Sequence, residues 1–524
     1  AVDGDTIEVQ SGQYIGQVFV NKSLIFRGID TGTGYPVIDA NGSECAVTLV
    51  APSIEIISMN ITGANSSAVL IENDNCTLLN LTIIHPKVTD YYLTYPAVTG
   101  EDVAGLTISS CRFFVHGDTV ALYNPHGYSI TGNEFYNPYG YSVAIVSSGS
   151  ANPTENGVIS GNTITQSRGA GIGIIAKTAD SLVRNLTISD NKISGSGGSI
   201  GLFIPSQGVI IRNNTLTENP GTIQKGVYGI MTYGTSGVLI EENHVVGTDV
   251  ELAFRFEDCS GLTITGNTVD GNSDTGMGFL WVTDSFVSQN TMDNNIYNFW
   301  MNPFILDPGV LPGNVIDTTN LADGKPVWYF EGVDDLSIDG SDNISTIILY
   351  ACDNADIKEF SSSANGAGVM ALRSENLTIT DCSFEQMYRG ILSISSPHLT
   401  VQGNHLTDCF DGIMVGDFFG GLVSDNLIEN SDDCGIVTGI YLEGVTVRDN
   451  TIDGANAGIY LDRVSGYNNA IFSGNTIQNT HVAGISSSSS QGAILCENTL
   501  DAESGVAVEQ AAGYGRWLHG DAVS

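Results

Sequence analysis

The sequence predicts an all-β chain wound as a single right-handed parallel β-helix, and three observations predict it. The composition suits many short strands and tight turns: 62 Gly, 15% charged residues, recurring Ser, Thr, Asn and Asp, and no long helical stretch rich in Leu, Ala, Glu and Lys. One six-residue pattern (apolar, polar, small, Asn, polar, apolar) returns along most of the chain. The segments around it alternate apolar and polar residues, the period of a strand.

The pattern reads Ile130-Thr131-Gly132-Asn133-Glu134-Phe135, then Ile159-Ser160-Gly161-Asn162-Thr163-Ile164, and later Ile264-Thr265-Gly266-Asn267-Thr268-Val269. Asn191, Asn214, Asn243, Asn290, Asn314, Asn404, Asn426, Asn450, Asn475 and Asn498 occupy the same place, and Cys111 and Cys382 stand in for Asn in matching segments. Neighbouring anchors in the continuous runs lie 22 to 29 residues apart. A coil of that length cannot bury its apolar residues alone, so coils stack, each adding one strand to several parallel sheets. A period near 24 gives roughly 20 coils over the chain. Asn suits the turn, where its amide can bond the neighbouring coil, so the stacked Asn residues are expected to form a structural ladder.

These motifs resemble the β-helix repeats of the pectate-lyase-like superfamily. The run Asp323-Gly324-Lys325-Pro326-Val327-Trp328-Tyr329-Phe330, with Leu336 to Gly340 and Ile347 to Cys352, is similar to the NosD-like β-helix modules of methanogen surface proteins. So is the opening Gly4-Asp5-Thr6-Ile7-Glu8-Val9 with Pro36 to Asp39. The resemblance implies the fold, and it leaves lyases, hydrolases, adhesins and scaffolds open as functions.

The repeats run over residues 1–500 with no linker to divide them. Residues 84–104, with His85, Tyr91, Tyr92 and Tyr95, and residues 302–326, with four prolines, break the rhythm and are expected to project as loops. The tail 501–524, with Tyr514, Arg516 and Trp517, is expected to leave the repeat and cap the last coil. The first residues read straight into a strand, which implies that a leader was removed. Lys plus Arg number 18 against 58 Asp plus Glu, a formal charge of −40. Such a surface repels nucleic acid and can recruit calcium to its carboxylates. No apolar run is long enough to span a membrane. Ten Asn-x-Ser/Thr sequons, at Asn21, Asn41, Asn60, Asn65, Asn75, Asn80, Asn185, Asn213, Asn343 and Asn376, permit glycosylation of an exported protein. The nine cysteines form no zinc-type cluster. Cys409 and Cys434 fall in comparable turns of successive coils and could pair.

In the strand before each Asn segment, Ile230, Phe254 and Ile459 are taken to point inward. The alternate residues then form an outward column: Met231, Leu280, Trp300, Trp328, Ile348, Met370, Leu392, Met414, Tyr441 and Tyr460, with Tyr233, Phe330 and Tyr350 alongside. A one-residue slip would turn the set inward. Outward, the stripe would bind sugar rings or another protein. The β-helix lyases that the chain resembles carry their polysaccharide groove on the corresponding sheet, with calcium held by carboxylates and an Arg or Lys as base. Arg255, Glu257 and Asp258, joined by Asp284 from the next coil, are the residues best suited to catalysis, although Arg between carboxylates is also the make-up of a plain ion pair. The eight histidines are scattered, with no constellation for copper. The expected function is an extracellular structural or adhesive surface protein, as part of a sheath, surface layer or filament. It would work by self-association or by contact with a surface glycan or protein. The alternatives are a calcium-assisted polysaccharide lyase, a glycoside hydrolase or a non-catalytic glycan binder.

Overall fold

The computed structural model describes residues 1–85, 95–136, 140–149, 154–165, 169–195, 197–217, 226–247, 250–272, 274–302, 311–439, 442–461, 470–488, 493–502, 508–511, 516–517 and 522–523. The fold is all-β, a right-handed parallel β-solenoid of about 19 turns with an Asn ladder, as the repeat predicts. Among the described residues there is no helix, and so none long and apolar enough to cross a membrane. The chain packs as two units, Ala1–Asn290 and Thr291–Ser524.

In the first unit each coil supplies one strand to each of three sheets. One coil comprises Leu239–Glu241, His244–Val246 and Val250–Glu257, and the next Thr263–Thr265, Thr268–Asp270 and Thr275–Leu280. Equivalent strands pair in parallel and in register. Register is fixed because a slip by one residue would expose every core side chain of a strand. In the first sheet Ile56, Leu78, Ile108, Ile130, Ile159, Ile188, Ile211, Ile240, Ile264 and Val287 stack in one column, each exposed by 1% or less. The second unit repeats the scheme, with Ile357, Ile379, Val401, Val423, Val447, Phe472 and Leu495 in a comparable column.

The six-residue pattern now has a physical reading. The small residue sits at positive φ (63° at Gly132, 59° at Asp190, 50° at Asn213), where glycine, Asn and Asp are least strained. The turn it makes brings the following Asn inside. There each Asn Nδ2 donates to the Oδ1 of the Asn one coil on at 2.8–3.0 Å, from Asn133 to Asn290 in the first unit and from Asn404 to Asn498 in the second. Asn314 is also buried. The two cysteines begin the ladders: the N–H of Cys111 donates to Asn133 Oδ1 and that of Cys382 to Asn404 Oδ1.

A second stacking device marks a corner of the second unit. Gly390, Gly412, Gly435 and Gly458 follow one another at equivalent places. A Cβ on any of them would lie 2.5–2.8 Å from the carbonyl oxygen of the glycine one coil on.

Two expectations about the chain's outline need correction. Residues 84–85 close the strand Thr82–His85, and 98–101 form Val98–Glu101, so these parts of 84–104 belong to the coil; Tyr91 and Tyr92 lie outside the described residues. Within 302–326, Leu321–Ala322 pairs antiparallel with Lys325–Glu331. The described residues of the tail pair with the repeat. Val508–Ala511, Arg516–Trp517 and Ala522–Val523 pair in parallel with the strands one coil before.

Candidate functional site

The third sheet of the first unit has the chemistry-bearing face. Its inward rows are apolar, with Ile230, Phe254 and Met277 in one and Phe256 and Phe279 in another, all at 2% exposure or less. The row between them faces outward and is made of small residues until its far end: Ala121, Ala144, Gly173, Gly201, Met231, Arg255, Gly278. The glycines make room for rings lying flat on the sheet. A Cβ on Gly173 would lie 2.5 Å from the Tyr141 ring, and one on Gly201 2.8 Å from the Tyr228 hydroxyl. Phe203 meets the Tyr228 ring edge-on at 5.7 Å.

A second outward row runs beside it: Tyr123, Val146, Ile175 and Phe203, with Tyr233, Glu257 and Leu280 on the later coils. Tyr233 is 45% exposed, and the others are half-buried. Lys177 Nζ stands 5.8 Å from the Tyr123 ring centre. Asp118 accepts the Tyr141 N–H at 2.8 Å. Burial raises the Asp118 carboxyl above its ordinary value, and burial followed by the Asp118 charge raises the Tyr141 hydroxyl.

Arg255 and Glu257 come together as nominated. Arg255 Nε and Nη2 both contact Glu257 Oε2, at 2.9 and 2.7 Å, and both side chains are more than three-quarters buried. Their two charges are spent on each other. Asp258 and Asp284 occupy positive-φ turns at 54° and 50°, a conformation that Asp tolerates better than most residues.

The expected stripe divides into three groups. Met231 faces outward but is 9% exposed, and Tyr233 is exposed beside it. In the second unit Ile348, Met370, Leu392, Met414, Val437 and Tyr460 align in one outward row, yet Ile348, Met370 and Leu392 are exposed by only 1–2%. Met414 and Tyr460 pack on Cys434, Val437 and Ala457. Tyr350 is buried, with the Arg373 guanidinium 5.7 Å from its ring centre. Trp328 and Phe330 are one residue out of the expected register: they pair with Ile347 and Leu349 and pack on the core, and Tyr329 takes the outward place. The unbroken apolar run Val327-Trp328-Tyr329-Phe330 hides the alternation that would have told the faces apart. Tyr441 lies outside the described residues.

Trp300 belongs to a different group, one that spacing alone did not indicate. Its ring lies over Gly366, where a Cβ would be 2.3 Å away, and meets Tyr388 edge-on at 6.4 Å. Tyr388 stacks on Phe410 one coil later at 5.0 Å, and the Arg389 guanidinium sits 4.9 Å from the Tyr388 ring centre. Arg389 Nε lies 3.4 Å from Asp411 Oδ2, with the two side chains 14% and 7% exposed. Asp411, Asp433 and Cys434 bring one ligand atom each to within 4.8 Å of one another. Burial pushes the Asp411 carboxyl up to about 6; Arg389 opposes the rise and Asp433 adds to it. The signal was present in the sequence: Arg389-Gly390, Asp411-Gly412 and Cys434-Gly435 align once the coils are superposed on their glycines.

A stability effect of unusual sign follows. The folded Asp411 value lies above its ordinary 3.8, so the native chain binds more protons between 3.8 and about 6. Its stabilising contribution is fully present below that window and is lost as pH rises through it. Denaturant midpoints measured across pH 3.5–7 are expected to show this fall and to lose it in Asp411→Asn.

All nine cysteines are free thiols, so the pairing of Cys409 with Cys434 is not formed. The N–H of Asp432 bonds the Cys409 carbonyl and that of Asp433 the Phe410 carbonyl. Cys409 therefore lies opposite Ser431, and Cys434 lies three residues further on. Burial pushes Cys409 up to about 12 and Cys382 up to about 11, so these thiols are unreactive.

No curated protein matches the chain. Among solved structures it is similar to the A-module of the mannuronan C-5 epimerase AlgE6 of Azotobacter vinelandii, with 13% identity over 60% of this chain and 90% of that one and a TM-score of 0.41. The family 6 alginate lyase AlyGC gives 11% identity over 100% and 98% of the two chains and a TM-score of 0.40. The family 136 lacto-N-biosidase of Eubacterium ramulus gives 10% over 61% and 62%, with 0.39. The family model for the right-handed β-helix region matches residues 118–297 and 345–501. That match spans more than half of a chain whose coils stack in parallel throughout both units, and the protein belongs to the right-handed β-helix family.

Proposed function

We propose that the protein is an extracellular adhesive β-helix that holds an extended glycan along the outward face of its first unit. The observation that carries this reading is the row Tyr123, Val146, Ile175, Phe203 and Tyr233, half-buried or exposed and apolar over successive coils. Contiguous apolar surface rimmed by polar groups marks an interaction site. Two coil spacings, about 9.6 Å, suit the repeat of an extended disaccharide, so rings can meet alternate coils. Arg255 and Glu257 supply polar contacts at one end. A formal charge of −40 favours a neutral glycan over a polyanion unless calcium bridges the two.

Assembly into a sheath, surface layer or filament draws on the solenoid, its charge, the outward apolar stripe from Met231 to Tyr460, and an odd number of cysteines that leaves one to pair between molecules. With Ile348, Met370 and Leu392 of that stripe buried and the thiols unbridged, glycan adhesion is the better supported form of a surface role. The sequons and the resemblance to NosD-like surface modules support the extracellular setting. Catalysis at Arg255 is less well supported, because its guanidinium is already paired with Glu257.

The test is a panel of neutral and acidic polysaccharides, with and without calcium, read by affinity electrophoresis and by release of sugar ends. Phe203→Ala and Tyr233→Ala are each expected to weaken binding roughly 10-fold, the loss of ~1.4 kcal/mol of ring contact, with the β-sheet spectrum unchanged. Retention of full affinity by the double variant would remove this face. Turnover by the wild type that disappears in Arg255→Ala would replace adhesion by catalysis.

A further inference from the structure

The cluster at Asp411, Asp433 and Cys434 lies on the second unit, apart from the face assigned to glycan. Two carboxylates and a thiol on adjacent coils are gathered within 4.8 Å, and Arg389 is the cation placed against them. Acidic groups meet often on a chain of this composition, so proximity alone says little. A second observation points to a ligand. The Asp411 side chain is 93% buried, being 7% exposed, and its Oδ1 has no hydrogen-bond partner. The contact of Arg389 Nε with the other oxygen, at 3.4 Å, is too long and poorly aligned for a good hydrogen bond, so it is mainly an ion pair, and the Cys434 N–H also approaches this carboxyl. A buried carboxylate oxygen left unpaired is costly, and a bound cation is one partner that would satisfy it.

We propose that Asp411, Asp433 and Cys434 bind a thiophilic divalent cation of the zinc class. Two oxygens and one sulfur from protein make the three-ligand set that zinc takes when its fourth position stays open. The thiolate argues against calcium and magnesium, which take oxygen ligands. Charge also balances: two carboxylates and one thiolate meet Arg389 and a dication, leaving no net charge in a half-buried site. Binding releases the thiol proton to solvent. Bond lengths of about 2.0–2.3 Å require the three ligand atoms to draw closer, a movement that side-chain rotation supplies. Stacking of Tyr388 on Phe410 and of Arg389 on Tyr388 holds the wall of the site in place.

The full chain, stripped with chelator and titrated with cobalt(II) as the probe, is expected to bind one equivalent and to develop a thiolate-to-cobalt charge-transfer band. Zinc should displace the cobalt and erase the band. Cys434→Ser should abolish the band, and Asp411→Asn should weaken cobalt binding at least 10-fold. Cys409→Ser, a thiol in the core one coil earlier, should leave both unchanged. Alkylation of the native protein, mapped by peptide mass, gives a readout independent of any variant's folding: zinc should slow modification of Cys434 specifically. A cobalt complex without the band, a band that survives Cys434→Ser, or Cys434 alkylation indifferent to zinc would each overturn the assignment.

Discussion

Gly412→Ala is expected to strip hydrogen-exchange protection from Arg389–Ile394 and Leu427–Thr438 and to lower the denaturant midpoint of the second unit. The added Cβ would lie 2.5 Å from the Gly435 carbonyl oxygen and 2.7 Å from Ile428 Cγ2. The first of these is backbone of the next coil and cannot rotate away. Coil spacing must open locally, and overpacking of this kind costs on the order of 3 kcal/mol. A solenoid couples mainly to its nearest neighbours, so the loss should centre on two adjoining coils and fade beyond them. Gly444 provides the control. It has φ of 64° with nothing within 4 Å of a Cβ, so Gly444→Ala meets only left-handed strain, about 1 kcal/mol. Equal effects at the two positions would mean that the glycine corner is not set by close approach.

Asn450→Leu is expected to be comparably severe by a different route. Asn450 Oδ1 accepts the N–H of Asn426 at 3.1 Å and its Nδ2 at 2.8 Å. Its own Nδ2 donates to Asn475 Oδ1 and to the Val423 carbonyl, each at 2.9 Å. Leucine fills much of the same volume but leaves the Asn426 donors without their acceptor at 0–1% exposure. With each orphaned group costing ~1–3 kcal/mol, the total is on the order of 4 kcal/mol. Urea unfolding followed by circular dichroism, with hydrogen exchange at Asn426 as the local probe, measures it. An unchanged midpoint would show that the ladder is ornamental to stability.

The fold and the ladder were legible because they repeat: every coil restates the same requirement, so errors at one coil are outvoted by the others. The Arg255–Glu257 pair was legible because both residues share one strand and one face. What failed was local. Trp328 and Phe330 sit in an apolar run with no polar residue to mark a face. The row at Ile348, Met370 and Leu392 was aligned correctly, but alternation reports only the direction of a side chain and not what covers it. In the Asp411 cluster, Asp433 follows Asp411 at the regular spacing, but Cys434 joins them through one extra residue, since register shifts between Ser431 and Cys434. A fixed period therefore leaves the thiol out of a group that the coils bring together.

The ladder bonds keep the same length whether 22 or 29 residues separate the partners. One position per coil is pinned, and the intervening chain can lengthen without altering the count anywhere else. Inherited insertions and deletions are thereby confined to the coil in which they arise. Descendants of such a gene can remodel the rim one coil at a time, and what the surface recognises can diverge while the architecture is inherited intact.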